Sequence, residues 1–279
     1  MARALAQQLG TQLNVPVVVE NREGAGGVIG AAAVQAAEPD GNTLLFTANP
    51  PFVVQPLLQK KPGYDPVSGF TPIARVGSVS SVLVVASSSP IGSFAQLVEA
   101  VRRAPGTLNY AHSGTGTHAY LDMERIKQAL QLRLVDVRYK SSAQAMQDTL
   151  AGHINVQLPS LPAALPHIKA GMLRPLAVGS ARRNPALPNV PTLGEAMKDP
   201  AFESVVWYAL LAPAGLKRDV AVRLQDEASK AVGTPLLAGV LERAGVEASA
   251  APGPVLAAQI AREAEAARTL LNDLGVKPE

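Results

Sequence analysis

The sequence has no cysteine. That absence excludes a disulfide framework, a thiolate zinc site and a cysteine nucleophile together. Long apolar runs are also missing. Stretches such as Val82 to Ala86 and Ala209 to Pro213 fall far short of the ~20 residues that cross a bilayer. The opening Met1-Ala2-Arg3 leads into Ala4-Leu5-Ala6-Gln7-Gln8, the pattern of an amphipathic helix and not of a secretory signal; taken alone it points to the cytoplasm. A concentrated basic stripe is lacking too. The net charge is +3, and the pairs Lys60-Lys61, Arg102-Arg103 and Arg182-Arg183 are scattered. This suits small anions better than nucleic acid, and each pair reads as solvated surface.

What remains is ample for a folded core. Of 279 residues, 47% are hydrophobic and 17% charged, too apolar for a disordered chain. The length exceeds one ordinary domain and accommodates two lobes. With 23 glycines and 23 prolines, neither a collagen repeat nor a low-complexity linker is present. No internal repeat occurs at solenoid or propeller periods.

The patterning alternates between helix and strand. Leu5, Leu9 and Leu13 mark a helix over 2–13, and the β-branched run 15–20 predicts a strand. A small-residue helix at 26–37, a turn at Pro39-Asp40-Gly41 and a strand at 43–47 follow, then a loop over 48–72 with a short helix near 56–59. Residues 79–86 predict one buried strand. Ser93 and Gln96 form a capping box that opens a helix to Arg103. Strands at 108–111, 134–138, 154–158 and 173–178 alternate with helices at 117–130, 142–151 and 161–170. Thr192 and Glu195 make a second capping box, 205–211 is a strand, and the last third is helical over 217–232, 235–244 and 254–274 with a short strand near Val246. Strands separated by helices predict an α/β architecture with mostly parallel sheets. The strands 79–86 and 205–211 bracket a middle block that is itself an α/β unit. The expected organisation is therefore a discontinuous first lobe (1–88 with 205–279) and a second lobe (89–204), joined by two hinge strands.

Three loops are chemically suggestive. Gly24, Gly26, Gly27 and Gly30 follow a predicted strand and open a helix, but Ile29 stands where a dinucleotide fingerprint needs its third glycine. A tight turn accounts for this segment better than a nucleotide site. Ser113-Gly114-Thr115-Gly116-Thr117 lies between a strand and a helix. Its glycines let backbone N–H groups converge, its hydroxyls donate, and the helix start adds positive potential, a combination suited to carboxylate or phosphate. No lysine follows the glycines, which argues against a P-loop. Tyr139-Lys140-Ser141-Ser142 holds the same place after the next strand, and Asn155 is a further candidate for that strand edge, where open α/β sheets bind ligands.

Catalytic groupings are poor. There is no G-x-S-x-G elbow. The histidines His112, His118, His153 and His167 form no H-x-x-x-H pair with a nearby carboxylate; His112 and His118 flank the Gly-rich loop as possible ligand contacts. Glu263 and Glu265, beside Arg262 and Arg268, are expected on an exposed helix face and not in a metal cluster. An anion-shaped site without a proton-transfer pair reads as a binder, not an enzyme, needing no metal and no cofactor.

The order of several short motifs then resembles one family. These are Val17-Val18-Val19-Glu20-Asn21-Arg22 with Gly24 to Gly27, Pro39-Asp40-Gly41 with Thr43-Leu44-Leu45, Tyr64-Asp65-Pro66 and Phe70-Thr71-Pro72. They continue through Ser113 to Thr117, Tyr139-Lys140, Leu176-Ala177-Val178, Val190-Pro191-Thr192, and Trp207 with Ala212-Pro213-Ala214-Gly215. Nearly end to end, the chain resembles the Bordetella uptake gene (Bug) receptors, also called the TctC family, the solute-binding components of tripartite tricarboxylate transporters. The resemblance implies a type II periplasmic-binding-protein fold whose two lobes close on a small carboxylated ligand in the interlobe cleft. It also implies a monomer that presents this ligand to a membrane permease. The matching ligand positions are Thr47, Ala48 and Asn49 in the first lobe, and Ser113, Gly114, Thr115, Gly116, Thr117, Tyr139, Lys140 and Ser141, with Asn155, in the second.

Three departures from the family pattern stand out. The chain starts inside the segment where the family has its first strand and ligand loop, so a periplasmic signal peptide, that strand and that loop are expected upstream of Met1. Ser141 and Ser142 replace glycines common after Tyr-Lys. Asn155 replaces a common acidic residue, which tilts the expected ligand towards a dicarboxylate or aromatic carboxylate. A sensor feeding a signalling partner is the alternative on the same fold. A nucleotide-dependent oxidoreductase using Gly24 to Gly30 is the third reading, and the failed glycine spacing speaks against it.

Overall fold

The structure, a computed structural model, describes residues 1–278. It divides into two units, Met1–Ser78 with Trp207–Glu279, and Val79–Val206. The chain passes between them inside strands β2 (Phe70–Ser80) and β8 (Val205–Pro213). Among the described residues no helix is long and apolar enough to cross a membrane, and no cluster of three or more metal-ligating side chains occurs.

The first unit holds a sheet of order β1-β8-β2-β9, with β1 at Leu45–Ala48 and β9 at Glu247–Pro252. β1 pairs antiparallel with β8, and β9 antiparallel with β2. Helices α1 (Ala2–Leu13), α8 (Arg218–Val232) and α9 (Pro235–Arg243) pack together. Leu5 and Leu9 bury the first of these, and Leu237 and Leu241 the last, the i, i+4 spacing of an apolar stripe. α2 (Val28–Gln35) is shorter than its sequence pattern suggests, because Gly24, Gly26 and Gly27 all take positive φ and delay the helix. The expected strand at 15–20 does not form, and Val18 is 86% exposed. β-branched residues favour an extended backbone, yet a strand exists only where a neighbour completes its ladder.

In α10 (Gly253–Asp273) Glu263 overturns its expected exposure. Trp207, fully buried, donates its indole N–H to both carboxylate oxygens at 2.9 and 3.0 Å. Gln259 and Asn49 donate to the same group at 2.8 and 3.2 Å. Glu265 does face solvent, paired with Arg268 at 2.7 Å.

The second unit holds a sheet of order β5-β4-β6-β3-β7. Its strands are β3 (Val82–Ala86), β4 (Asn109–His112), β5 (Val135–Arg138), β6 (Val156–Gln157) and β7 (Leu173–Val178). β4 pairs parallel with β5 and β6, whereas β3 pairs antiparallel with β6 and β7. The parallel sheets expected from the alternation are thus confined to β4, β5 and β6. Every residue of β3 is buried: Leu83 and Val85 face one core cluster, Val82 and Val84 the other. A central strand covered on both sides has no polar face to show. The expected single strand 79–86 is two strands separated at Ser81. There Ser81 N–H donates to the Ser204 carbonyl, Ser204 N–H to Gly179, and Gly179 N–H to Ser81. A side chain at Gly179 would run into the Ser204 carbonyl, so only glycine fits this crossing. Helices α3 (Phe94–Arg103), α4 (His118–Leu130), α5 (Ser142–Leu150), α6 (Leu161–Lys169) and α7 (Leu193–Met197) cover the sheet. Both halves of the Thr192–Glu195 capping box form. At α3 Ser93 caps Gln96 N–H, while the Gln96 side chain reaches Gly92 instead of Ser93.

Candidate functional site

Parallel β4 and β6 end on one edge of the second sheet, and the helices that follow β4, β5 and β6 start there. A cavity of about 410 Å³ opens at this edge. His112, Ser113, Thr117 and His118 line it from the β4–α4 turn, Ser142 and Met146 from α5, and Ser160 and His167 from α6 with its cap. Ala111, Ala119, Ala143 and Leu158 supply apolar wall. Among the described residues no lysine, arginine, aspartate or glutamate lines it.

Its positive potential therefore comes from backbone. α4 and α5 present their first residues to the cavity and α6 its N-cap Ser160, and a helix N-terminus carries about half a positive charge and unpaired N–H groups. Thr117 and Ser160 occupy the N-cap positions of α4 and α6 without capping them through their side chains. The Ser141 hydroxyl accepts from Gln144 N–H at 3.3 Å and caps α5. Converging uncapped helix starts with hydroxyls and no competing acid favour a bound carboxylate.

The β4–α4 loop is a closed turn. Gly114 has φ 139°, open to glycine and strained for other residues. Its carbonyl accepts both the Thr117 N–H (3.1 Å) and the Thr117 hydroxyl (2.7 Å). Its N–H donates to His112 Nδ1 at 3.1 Å. Ser113 Oγ lies 3.4 Å from Ser142 Oγ and joins this loop to α5.

The sequence-derived candidates fall into separate groups. Ser113 and Thr117 meet Ser142 at the cavity, with Gly114, Thr115 and Gly116 between them in the loop. Tyr139, Lys140 and Ser141 lead into α5 without lining the cavity. The Tyr139 hydroxyl donates to Asp148 at 2.6 Å, which pushes its pKa up to about 12. Asn155 sits before β6, at the strand end remote from the Ser113 loop, and exchanges hydrogen bonds with Asn109 at 2.7 and 2.9 Å. The structure does not bring it to the others. Thr47, Ala48 and Asn49 belong to the first unit. There the Asn49 amide accepts from Trp207 N–H at 3.1 Å and donates to Glu263.

Several lining residues escape the sequence reading. Ser160, Ala163 and His167 repeat at i, i+3 and i+7 on one face of α6 and its cap, a spacing visible in the sequence but silent about what that face meets. His118 Nε2 and His167 Nδ1 are buried without a hydrogen-bond partner. Burial pushes the His118 pKa down, with the Asp122 carboxylate opposing.

Comparison with known proteins bears on this site. The family described as "Tripartite tricarboxylate transporter family receptor" matches residues 1–276. Protein BugT of Bordetella pertussis is 35% identical over 92% of this chain and 77% of its own length. A solved structure described as a periplasmic transporter is 34% identical, with a TM-score of 0.76 over 99% of this chain and 92% of that one. The R. palustris protein Rpa4515 with adipate is 29% identical, with a TM-score of 0.76 over 100% of this chain and 93% of that one.

Proposed function

The chain belongs to the tripartite tricarboxylate transporter receptor family, and we propose that it captures a small carboxylated molecule in the cavity of its second unit and presents it to a membrane transporter. The family is one of periplasmic solute-binding receptors, not of enzymes. The observation that carries the ligand assignment is the cavity's charge pattern. Starts of α4, α5 and α6 line it together with Ser113, Thr117 and Ser142, while no acidic side chain does. An anion is stabilised there by fixed dipoles and hydroxyls, and an amine finds no carboxylate partner. Rpa4515 with adipate supports the same class of ligand. The alanine, methionine and leucine wall suits an apolar body behind the carboxylate.

In this reading Ser113, Ser142 and the backbone N–H groups of 115 and 116 hold the carboxylate, in a loop that Thr117 closes through its two bonds to the Gly114 carbonyl. Thr47, Ala48 and Asn49 stay ligand candidates of the first unit, and Tyr139, Lys140 and Ser141 of the second, on the family resemblance. The test is a thermal-shift and calorimetric screen with adipate, succinate, citrate, benzoate and glutamate, each beside its uncharged amide. At least one acid is expected to raise the melting temperature while its amide does not. A response to neutral sugars, with none to any acid, would overturn the assignment.

A further inference from the structure

His112 ends β4 and is 4% exposed. Its two ring nitrogens meet different partners. Nδ1 lies 3.1 Å from the backbone nitrogen of Gly114, and Nε2 lies 3.4 Å from Asp136 Oδ2. A backbone N–H can only donate, so Nδ1 is the bare nitrogen and the ring proton sits on Nε2, towards Asp136. The rings of Tyr110 and Tyr120, with centroids 5.8 and 4.8 Å away, wall in the imidazole. Gly114 thus has both backbone polar groups engaged: its N–H by His112, its carbonyl by Thr117.

A conflict is built into this arrangement. The Asp136 carboxylate faces Nε2 at 3.4 Å and can accept its proton whether the ring is neutral or charged. An imidazolium, however, carries N–H on both nitrogens, and a proton on Nδ1 would face the Gly114 N–H, donor against donor. The protonated ring and the closed loop exclude each other.

We propose that His112 is the positioning residue of the carboxylate loop: its neutral ring holds Gly114, and with it residues 113–117, in the binding shape, and proton uptake at Nδ1 releases the loop and its ligand. This rests on the carboxylate reading given above. The charged and titratable groups around the ring come from three elements and the far cavity wall. β5 supplies Asp136 and, as register partner of His112, Arg138. β4 supplies Tyr110, and α4 supplies Tyr120 and His118, with Glu124 behind them engaged by the Tyr110 hydroxyl and by Lys127 at 2.6 Å. α6 supplies His167 across the same cavity, and α5 lines it with no titratable side chain. Asp136 is the carboxylate that reaches the ring.

Nitrogen NMR of the ligand-free chain reads the ring directly. The expected spectrum shows His112 protonated on Nε2 and bare at Nδ1, with the Gly114 amide moving at the His112 midpoint as acid is added. A ring protonated on Nδ1 at neutral pH, or a Gly114 amide indifferent to His112, overturns the proposal. Two variants extend the test to binding, with adipate as the probe. His112→Asn keeps an acceptor near the Nδ1 position and cannot titrate; His112→Leu keeps volume and accepts nothing. Wild-type affinity is expected to fall about tenfold from about pH 8 to about pH 5.5, across the histidine range. His112→Asn should stay within about threefold of the neutral wild type over that range, and His112→Leu should be about tenfold weaker throughout. Any titration of adipate itself is shared by both variants, so the difference between profiles belongs to His112. A His112→Leu chain with wild-type affinity and pH profile overturns the proposal. So does wild-type affinity that rises on acidification, the mark of a charged ring touching the ligand. If no acid of the screen binds while the Gly114 amide still follows His112, the receptor reading fails and the loop anchor alone stands.

Discussion

Thr117 directs two donors at one acceptor, the Gly114 carbonyl. Valine has the same shape without the hydroxyl, so Thr117→Val removes the 2.7 Å bond and leaves the backbone bond. The expected cost is about 1 kcal/mol of stability, with a several-fold loss of carboxylate affinity by calorimetry, because the loop that loosens is the one proposed to bind. Tyr139 gives a second prediction, in pH. Its hydrogen bond to Asp148 raises the pKa from about 10 to about 12. A folded-state pKa above the unfolded one means a contribution that is whole below about pH 10 and is lost as pH rises towards 12. Tyr139→Phe is expected to flatten the alkaline limb of the stability curve in that window and to leave the acid limb unchanged, by denaturant titration at each pH.

Among the elements, α10 is tied to the first sheet through one carboxylate. Glu263 accepts from Trp207, Gln259 and Asn49, which joins α10 to β8 and to the end of β1. Removing it leaves a buried indole N–H without its acceptor. Glu263→Ala is expected to cost the first unit about 3 kcal/mol, and Glu263→Gln less, since an amide oxygen still accepts. Urea unfolding followed by Trp207 fluorescence, the single tryptophan of the chain, isolates that unit. Equal melting of all three proteins would show the network to be dispensable. The same network engages both ends of the amide of Asn49, a ligand candidate on the family resemblance.

For the whole molecule, ligand binding and stability are one measurement. A carboxylate at a hundred times its Kd stabilises the native state by about 2.7 kcal/mol, and the gain grows with the logarithm of concentration. The helix starts around the cavity belong to the second unit, so the transition of that unit should carry the shift. The potential there comes from fixed dipoles instead of exposed side-chain charges. Salt should therefore weaken binding less than it weakens a surface ion pair.

The sequence by itself determined the elements and the chemistry of the loops. Helical spacing, both capping residues Ser93 and Thr192, and the Ser113–Thr117 turn were legible, because each depends on residues close in the chain. Tertiary structure decided what depends on distant partners. Residues 15–20 have strand composition and no neighbour to pair with. The run 79–86 breaks at Ser81 because Ser204 and Gly179, far along the chain, supply its hydrogen bonds. Glu263 has the sequence environment of a solvated helix residue until Trp207 meets it. Asn155 follows the loop pattern of a ligand residue, yet lies at the wrong end of its strand. The partners of His112 were equally out of reach. A histidine beside a glycine loop does not reveal in the sequence that its Nδ1 turns to Gly114 and its Nε2 to Asp136. Periodicity along a chain fixes which face a residue occupies; only packing fixes what that face meets.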